Sequence, residues 1–398
     1  MFDRLGAFLN HRRTLDYAAI LLAAEIAVAA YFVALSYGVF VKQTAPVTTD
    51  FVSFYAAGAL ADAGTPNLAY HQPEHFQAEQ QVREPGIKYN YFFYPPIFLM
   101  LCALLAYLPY LAAFLVFEAG TLALYLLVAT RILGLPARQT LIPLLAFPIV
   151  FWNFGWGQNG FLTAALFGAA TLLVDRRPTI AGLLFGAICY KPHFGILIPV
   201  ALAAGRHWRA FGAAAVSTIG LALASLLLFG TETWRDFLAA AIGSPATYET
   251  GIVKLWAFVT PFGAVLLLGG SSAAAYAAQV AATCAAILFV GWIWWRKLSL
   301  EVRAAALVAA TLIAVPLAIF YDLMLAAIAG AWLCRRSQSI PPWQSLLFAV
   351  SYLVLLNSQQ IAEATRVPVG LLIVAALVAT VIHRAVREAR IARGPIAS

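Results

Sequence analysis

Four groups of residues in this chain have the types and settings to do chemistry. The first is Asp50, in the stretch "TTDFVSFYAAGALADAG" that follows a long apolar run. A carboxylate fixed beside aromatic rings can act as a general base, taking the proton from a hydroxyl as it attacks. The same place also suits a plain helix-start carboxylate, favoured by the N-terminal end of the helix dipole. The second is Lys191 in "YKPH", with His193 two residues on, inside a hydrophobic stretch. An ammonium group there must be paired or hydrated, so Lys191 reads as an anion site, with a structural ion pair as the alternative. His193 alone reads more readily as a satisfied polar residue. The third is the polar "GQN" of Gly157, Gln158 and Asn159, with Tyr94 in "YNYFFYPP"; the fourth is Tyr321 and Asp322 in "VPLAIFYDLML". The chain has no Walker loop, G-x-G-x-x-G, D-x-D or H-E-x-x-H, so neither nucleotide binding nor a metal site is expected.

The elements that must position these residues are membrane helices. Of the 398 residues, 63% are hydrophobic and 11% charged, far from the makeup of a soluble domain. Spanning segments are expected at roughly 17–41, 93–109, 111–131, 139–154, 159–174, 208–229, 272–295, 302–317, 322–334, 342–357 and 367–384. The fold class is therefore all-α and polytopic, with roughly 11–13 transmembrane helices in one domain over residues 1–398. The charge is +8, and 16 of the 25 Lys and Arg fall in clusters such as "DRRP", "GRHWR" and "CRRS". Topology alone explains this bias, so no nucleic-acid partner is invoked, and both termini are placed in the cytoplasm. The connection of residues 42–92 then faces outward. Two amphipathic surface helices are expected in it, one capped by Thr48 or Thr49 and one starting at Pro73. The four cysteines have neither zinc-site nor disulfide spacing.

Two irregularities stand out. If residues 93–154 held three full crossings, the basic "DRR" would fall on the wrong side, so one of the three is expected not to cross. The stretch 178–204 has basic clusters at both ends and must enter and return, yet each arm is too short to span. It reads as two half-helices with "YKPH" at the apex, a backbone tolerated only where protein or a water-filled cavity surrounds it. Here a cavity is expected. Glu25 and Glu118 fall within apolar spans and receive no role.

The order of "D-F-x-x-F-Y-x-A-G" from Asp50 to Gly58, then "Y-P-P", "G-Q-N" and "K-P" resembles glycosyltransferase family 87 of the GT-C superfamily. The resemblance runs from about residue 15 to 385. It implies an inverting transferase that moves a hexose, usually mannose, from a polyprenyl phosphate carrier to a lipid-linked or cell-envelope acceptor. The reaction would take place on the outer face of a bacterial cytoplasmic membrane, with no cofactor besides the lipid-phosphate sugar as co-substrate. It also carries the role of general base to Asp50. Lys191, His193, Tyr94, Gln158, Asn159, Tyr321 and Asp322 become the expected donor phosphate and sugar contacts. The chain departs from the family's mannosyltransferases where many have a serine-proline-tryptophan-histidine type motif, since Tyr321 and Asp322 stand in that region. A transporter or lipid flippase would also use broken helices and buried charge; such a protein usually has two related halves, and none is evident here.

Overall fold

The computed structural model describes residues 11–36, 50–82, 87–249, 253–335 and 342–391. The described residues are helical throughout, apart from connecting segments and one isolated antiparallel bridge between Phe258 and Ile319. In chain order the helices are α1 (His11–Ser36), α2 (Phe51–Asp62), α3 (Gln72–Val82), α4 (Pro96–Ala106), α5 (Tyr110–Leu133), α6 (Ala137–Leu145), α7 (Pro148–Trp156), α8 (Gly160–Leu173) and α9 (Pro178–Ala187). They continue with α10 (Ile198–Ala204), α11 (Trp208–Glu249), α12 (Pro261–Leu267), α13 (Ser272–Trp295), α14 (Leu300–Ala314), α15 (Met324–Leu333), α16 (Pro342–Leu356), α17 (Ser358–Thr365) and α18 (Val369–Ile391). The protein is an all-α polytopic membrane protein.

Among the described residues, each apolar segment read from the sequence contains helix, but many of the helices are short. Among the described residues, four helices are long and apolar enough to cross a bilayer: α5, α11 up to Gly243, α13 and α18. The pair α6 and α7 makes a fifth if taken as one span, bent by 59°. Prolines explain the break, since Pro143 lies inside α6 and Pro148 opens α7. Helix α4 has 11 residues, about 16 Å of rise against a hydrocarbon core of about 30 Å. Of the three crossings considered between 93 and 154, α5 is long enough to span alone, whereas α4 is short and the α6–α7 pair is broken. In α11 the break falls at Gly230, whose φ of 80° and ψ of 171° interrupt the helix where the predicted span ends. Before it, Val216, Ile219, Leu223, Leu227 and Leu228 are exposed, an apolar face suited to lipid.

The core surrounds α14, where all but three of the residues from Leu300 to Ala314 are buried. A helix buried on every side needs no polar face, and its single basic residue, Arg303, sits near one end. Arg303 donates to Asp175 at 2.7 Å and lies 3.1 Å from His207 Nε2. Asp175 precedes α9 and His207 follows α10, so this cluster ties together the two ends of the short-armed hairpin. The stretch folds back on itself as a hairpin. At the apex Tyr190, Lys191 and Phe194 are buried, while Pro192 and Ile196 are exposed.

The first connection departs from its expected form. Helix α2 does not lie on a surface: Phe51, Val52, Ser53, Phe54, Ala56, Ala57 and Gly58 are all buried. Its small residues allow backbone approach to α4, and a Cβ on Gly58 would collide with the Cys102 carbonyl. Thr48 and Thr49 lie outside the described residues, and the residue at the N-cap position is Asp50. Helix α3 begins at Gln72, beside the expected Pro73, and buries His75 and Glu79. The α2–α4 contact has little freedom, because its opposing atoms are backbone. Gly58→Ala is therefore expected to lower stability by about 1–3 kcal/mol, measured as a lower Tm of the detergent-solubilised protein than wild type.

Candidate active site

Asp50 is held from two directions by the turn between α7 and α8. Its backbone N–H donates to the Trp156 carbonyl at 2.8 Å, and its Oδ2 accepts from Gln158 Nε2 at 2.8 Å. The turn passes close because Gly157, at φ 67°, is in the left-handed region. A Cβ there would lie 2.6 Å from Phe51 Cβ. Asp50 makes no side-chain cap bond to its own helix, so its carboxylate is turned away from the capping role and toward the turn. Its other oxygen, Oδ1, has no partner among the described residues. Burial pushes the Asp50 carboxyl above the usual carboxylate range, and the Gln158 hydrogen bond works against that shift. The aromatic residues after Asp50 fasten the helix: Phe51 packs against Phe114 and Phe117, Phe54 against Tyr94 and Phe98. The Tyr55 hydroxyl donates to Leu108 O at 2.8 Å.

Around Asp50 the structure brings together most of the residues singled out in the sequence. The Tyr94 hydroxyl lies 3.5 Å from Gln158 Oε1 and faces Asn159 and Tyr321. Asn159 is fully buried, yet neither atom of its amide makes a hydrogen bond of normal geometry. Tyr321 is close enough to Asp50 to feel its charge and packs edge-on against Trp156 at 6.3 Å. Lys191 is not an open cation. Its Nζ lies 2.7 Å from Asp322 Oδ1, with the two side chains 3% and 2% exposed, and faces the rings of Phe194 and Tyr321 at 5.2 and 4.9 Å. Asp322 Oδ2 also accepts from Ile319 N at 2.9 Å. Of the two readings of Lys191, the ion pair is present. His193 turns to the Leu317 backbone and packs on Phe194.

Sequence reasoning missed a second layer. Glu79 is fully buried, with Oε2 accepting from Asn90 N at 3.1 Å. Burial pushes its carboxyl up to about 8, the Asn90 N–H opposes, and the charge of Asp50 adds to the rise. His75, equally buried, meets the Ser53 carbonyl with Nε2 at 3.1 Å. Burial takes its imidazole down to about 4 against that bond. Asn153, in the "WNFGW" before the turn, and Glu118 in α5 complete the layer, joined at 3.4 Å. A polar residue alone in an apolar run was the only signal available for either.

The glycosyltransferase family 87 model matches residues 92–319, more than half of the chain. The chain belongs to glycosyltransferase family 87. No curated protein and no solved structure matches it. The matched region holds Tyr94, the turn at 157–160 and Lys191, while Asp50 lies before it and Tyr321 and Asp322 just after it. This family 87 glycosyltransferase therefore uses the matched region to hold residues from both flanks in one place.

The Lys191–Asp322 pair supplies a test of its own. Removing one partner leaves an uncompensated buried charge, which costs about 3–5 kcal/mol, whereas replacing both by apolar groups of similar volume is close to neutral. Lys191→Met and Asp322→Leu are each expected to lower the Tm strongly, and the double variant to recover most of the loss. A double variant no more stable than the worse single one would show that the two charges do not balance each other.

Proposed function

We propose that this family 87 glycosyltransferase is an inverting hexosyltransferase that uses a polyprenyl phosphate hexose as donor, with mannose the expected sugar. The acceptor is a lipid-linked or cell-envelope hydroxyl, and transfer takes place on the outer face of the cytoplasmic membrane with both termini inside. The observation that carries the reading is the grouping, within an apolar helical interior, of an acid with one open oxygen, an unpartnered buried amide and a cation. Asp50 Oδ1 is positioned to take the acceptor proton as the hydroxyl oxygen attacks the anomeric carbon. The bond from that carbon to the phosphate oxygen breaks on the opposite face, and the electron pair leaves with the polyprenyl phosphate. A phosphate leaving group needs positive charge more than a proton. Lys191, oriented by Asp322, supplies the charge, with the Tyr94 hydroxyl as a neutral donor beside it. Asn159 and Gln158 offer amide groups to sugar hydroxyls, since a buried amide without a partner is costly until a ligand satisfies it. Tyr321 walls the site, and His193 supports the Lys191 apex from behind. Membership of a glycosyltransferase family sets aside the transporter reading.

The test is transfer in proteoliposomes. Polyprenyl phosphate hexose is expected to support turnover, and nucleotide sugar without lipid carrier is not; the reverse would overturn the donor assignment. Asp50→Asn keeps the size of the side chain and removes its basicity. The rate is expected to fall about a hundred- to ten-thousandfold while donor binding persists. In the wild type, the base works only when ionised, so the rate should drop as pH falls through a value above the usual carboxylate range, the direction burial sets for Asp50.

A further inference from the structure

Glu118 stands in the middle of α5 with no exposure, and its Oε1 has no hydrogen-bond partner. An ionisable residue so placed in an apolar span is costly and calls for an explanation. Its Oε2 accepts from the Asn153 amide at 3.4 Å, and the other side-chain contacts of Asn153 go to the turn that follows it. Asn153 Nδ2 also donates to Gln158 O at 2.8 Å, Oδ1 accepts from Gly160 N at 2.8 Å, and its backbone carbonyl accepts from Gln158 N at 3.0 Å. Gly160 has no room for a Cβ, which would meet Asn153 Oδ1 and, at 2.6 Å, the Tyr321 carbonyl. Both strands of the turn are thus bolted to one amide.

Part of this is the ordinary need to satisfy groups freed at a helix end. What raises it above that need is the cargo of the turn. Gln158 points its Nε2 at Asp50 and its Oε1 toward Tyr94, so whatever fixes the turn fixes the acid. Helix α5 reaches Asp50 by a second route, because Phe114 and Phe117 on the same helix pack against Phe51 at 5.5 and 5.7 Å. Phe114 also packs on Phe154, next to Asn153.

We propose that Asn153, seated against Glu118, is the positioning residue of this transferase: it clamps the Gly157–Gly160 turn and thereby orients the Asp50 carboxylate for proton abstraction. The inference rests on Asp50 being the base. The groups facing Asp50 are Gln158 from the turn, Tyr321 after α14 and Glu79 from α3. Only Gln158 is governed by the clamp. Loosening the turn removes a hydrogen bond that favours the ionised acid, and the acid limb of the pH–rate profile moves to higher pH.

The experiment is the pH–rate profile of transfer by the full chain in proteoliposomes, with the expected donor. Asn153→Ala should lower kcat about a hundredfold, the scale of a catalytic group displaced by about 1 Å. It should also raise the acid limb by about one pH unit and leave the donor KM within a few fold. Gln158→Ala should move the limb alike, and the double variant should move it no further, since both act through one bond. A limb that stays in place, or shifts that add, overturns the proposal. Where Asn153→Ala does not yield folded protein, Glu118 decides. Glu118→Gln keeps an acceptor oxygen for Asn153 and should hold the wild-type limb, and Glu118→Leu should shift it; identical limbs overturn the clamp. Asp50→Asn, run alongside, separates the two ideas. If it retains wild-type transfer, the base assignment falls and the clamp with it; if it is inactive and the limb of the clamp variants is unmoved, only the clamp falls.

Discussion

In a chain this apolar, a backbone or side-chain polar group that loses its helical partner has no water to turn to within the bilayer and must be satisfied by the protein. That constraint organises the site. The helices stop at four places that meet: before Phe51, between Trp156 and Gly160, at the apex between α9 and α10, and between Ala314 and Met324. Each stop frees polar groups, and each supplies polar side chains to the others. Asp50 takes up Gln158, Asn153 takes up the turn, and Asp322 takes up both Lys191 and the Ile319 N–H. The candidate site falls at these convergent helix breaks, where the groups that mend the breaks are also groups that can do chemistry.

The short-armed hairpin shows the same logic at both of its ends. At its apex Lys191 is joined to Asp322, and at its base Asp175 and His207 are joined through Arg303. Arms of 10 and 7 residues in α9 and α10 could not hold a fixed depth by length alone. Pinned at both ends against the segments flanking α14, the apex cannot drift from the 3₁₀ turn that carries Tyr321. Rigidity at that point matters for a transferase, since the reaction depends on groups held in place before the substrates meet.

Much of this was legible in the sequence, and the exceptions have physical reasons. Segment positions could be read because apolar runs are long and their flanks charged; the hairpin could be read because basic clusters bracket a stretch too short to cross twice. The helix lengths were less legible, since Pro143 and Pro148 divide a run that hydropathy treats as continuous. Helix α2 was misplaced at a surface. Its Ala56, Ala57 and Gly58 are a close-packing stripe, but small residues do not reveal which partner they face until α4 is in place. Asp50, Gln158, Asn159, Lys191, Tyr94, Tyr321 and Asp322 stood out by type, whereas the pairing of Lys191 with Asp322 did not, because 131 residues separate the two. Asn153 looks unremarkable singly, Glu118 stands out only as an acid in an apolar span, and the contact between them exists only in space.

The opposed influences on Asp50 give the turn its importance. A general base works best when its pKa lies near the operating pH, strong enough to accept a proton yet ionised in the resting state. Burial drives Asp50 toward the protonated form, in which it could not accept a proton at all. The Gln158 hydrogen bond pulls the other way. The geometry of that bond is set by a four-residue turn held by Asn153 and by the close approaches at Gly157 and Gly160.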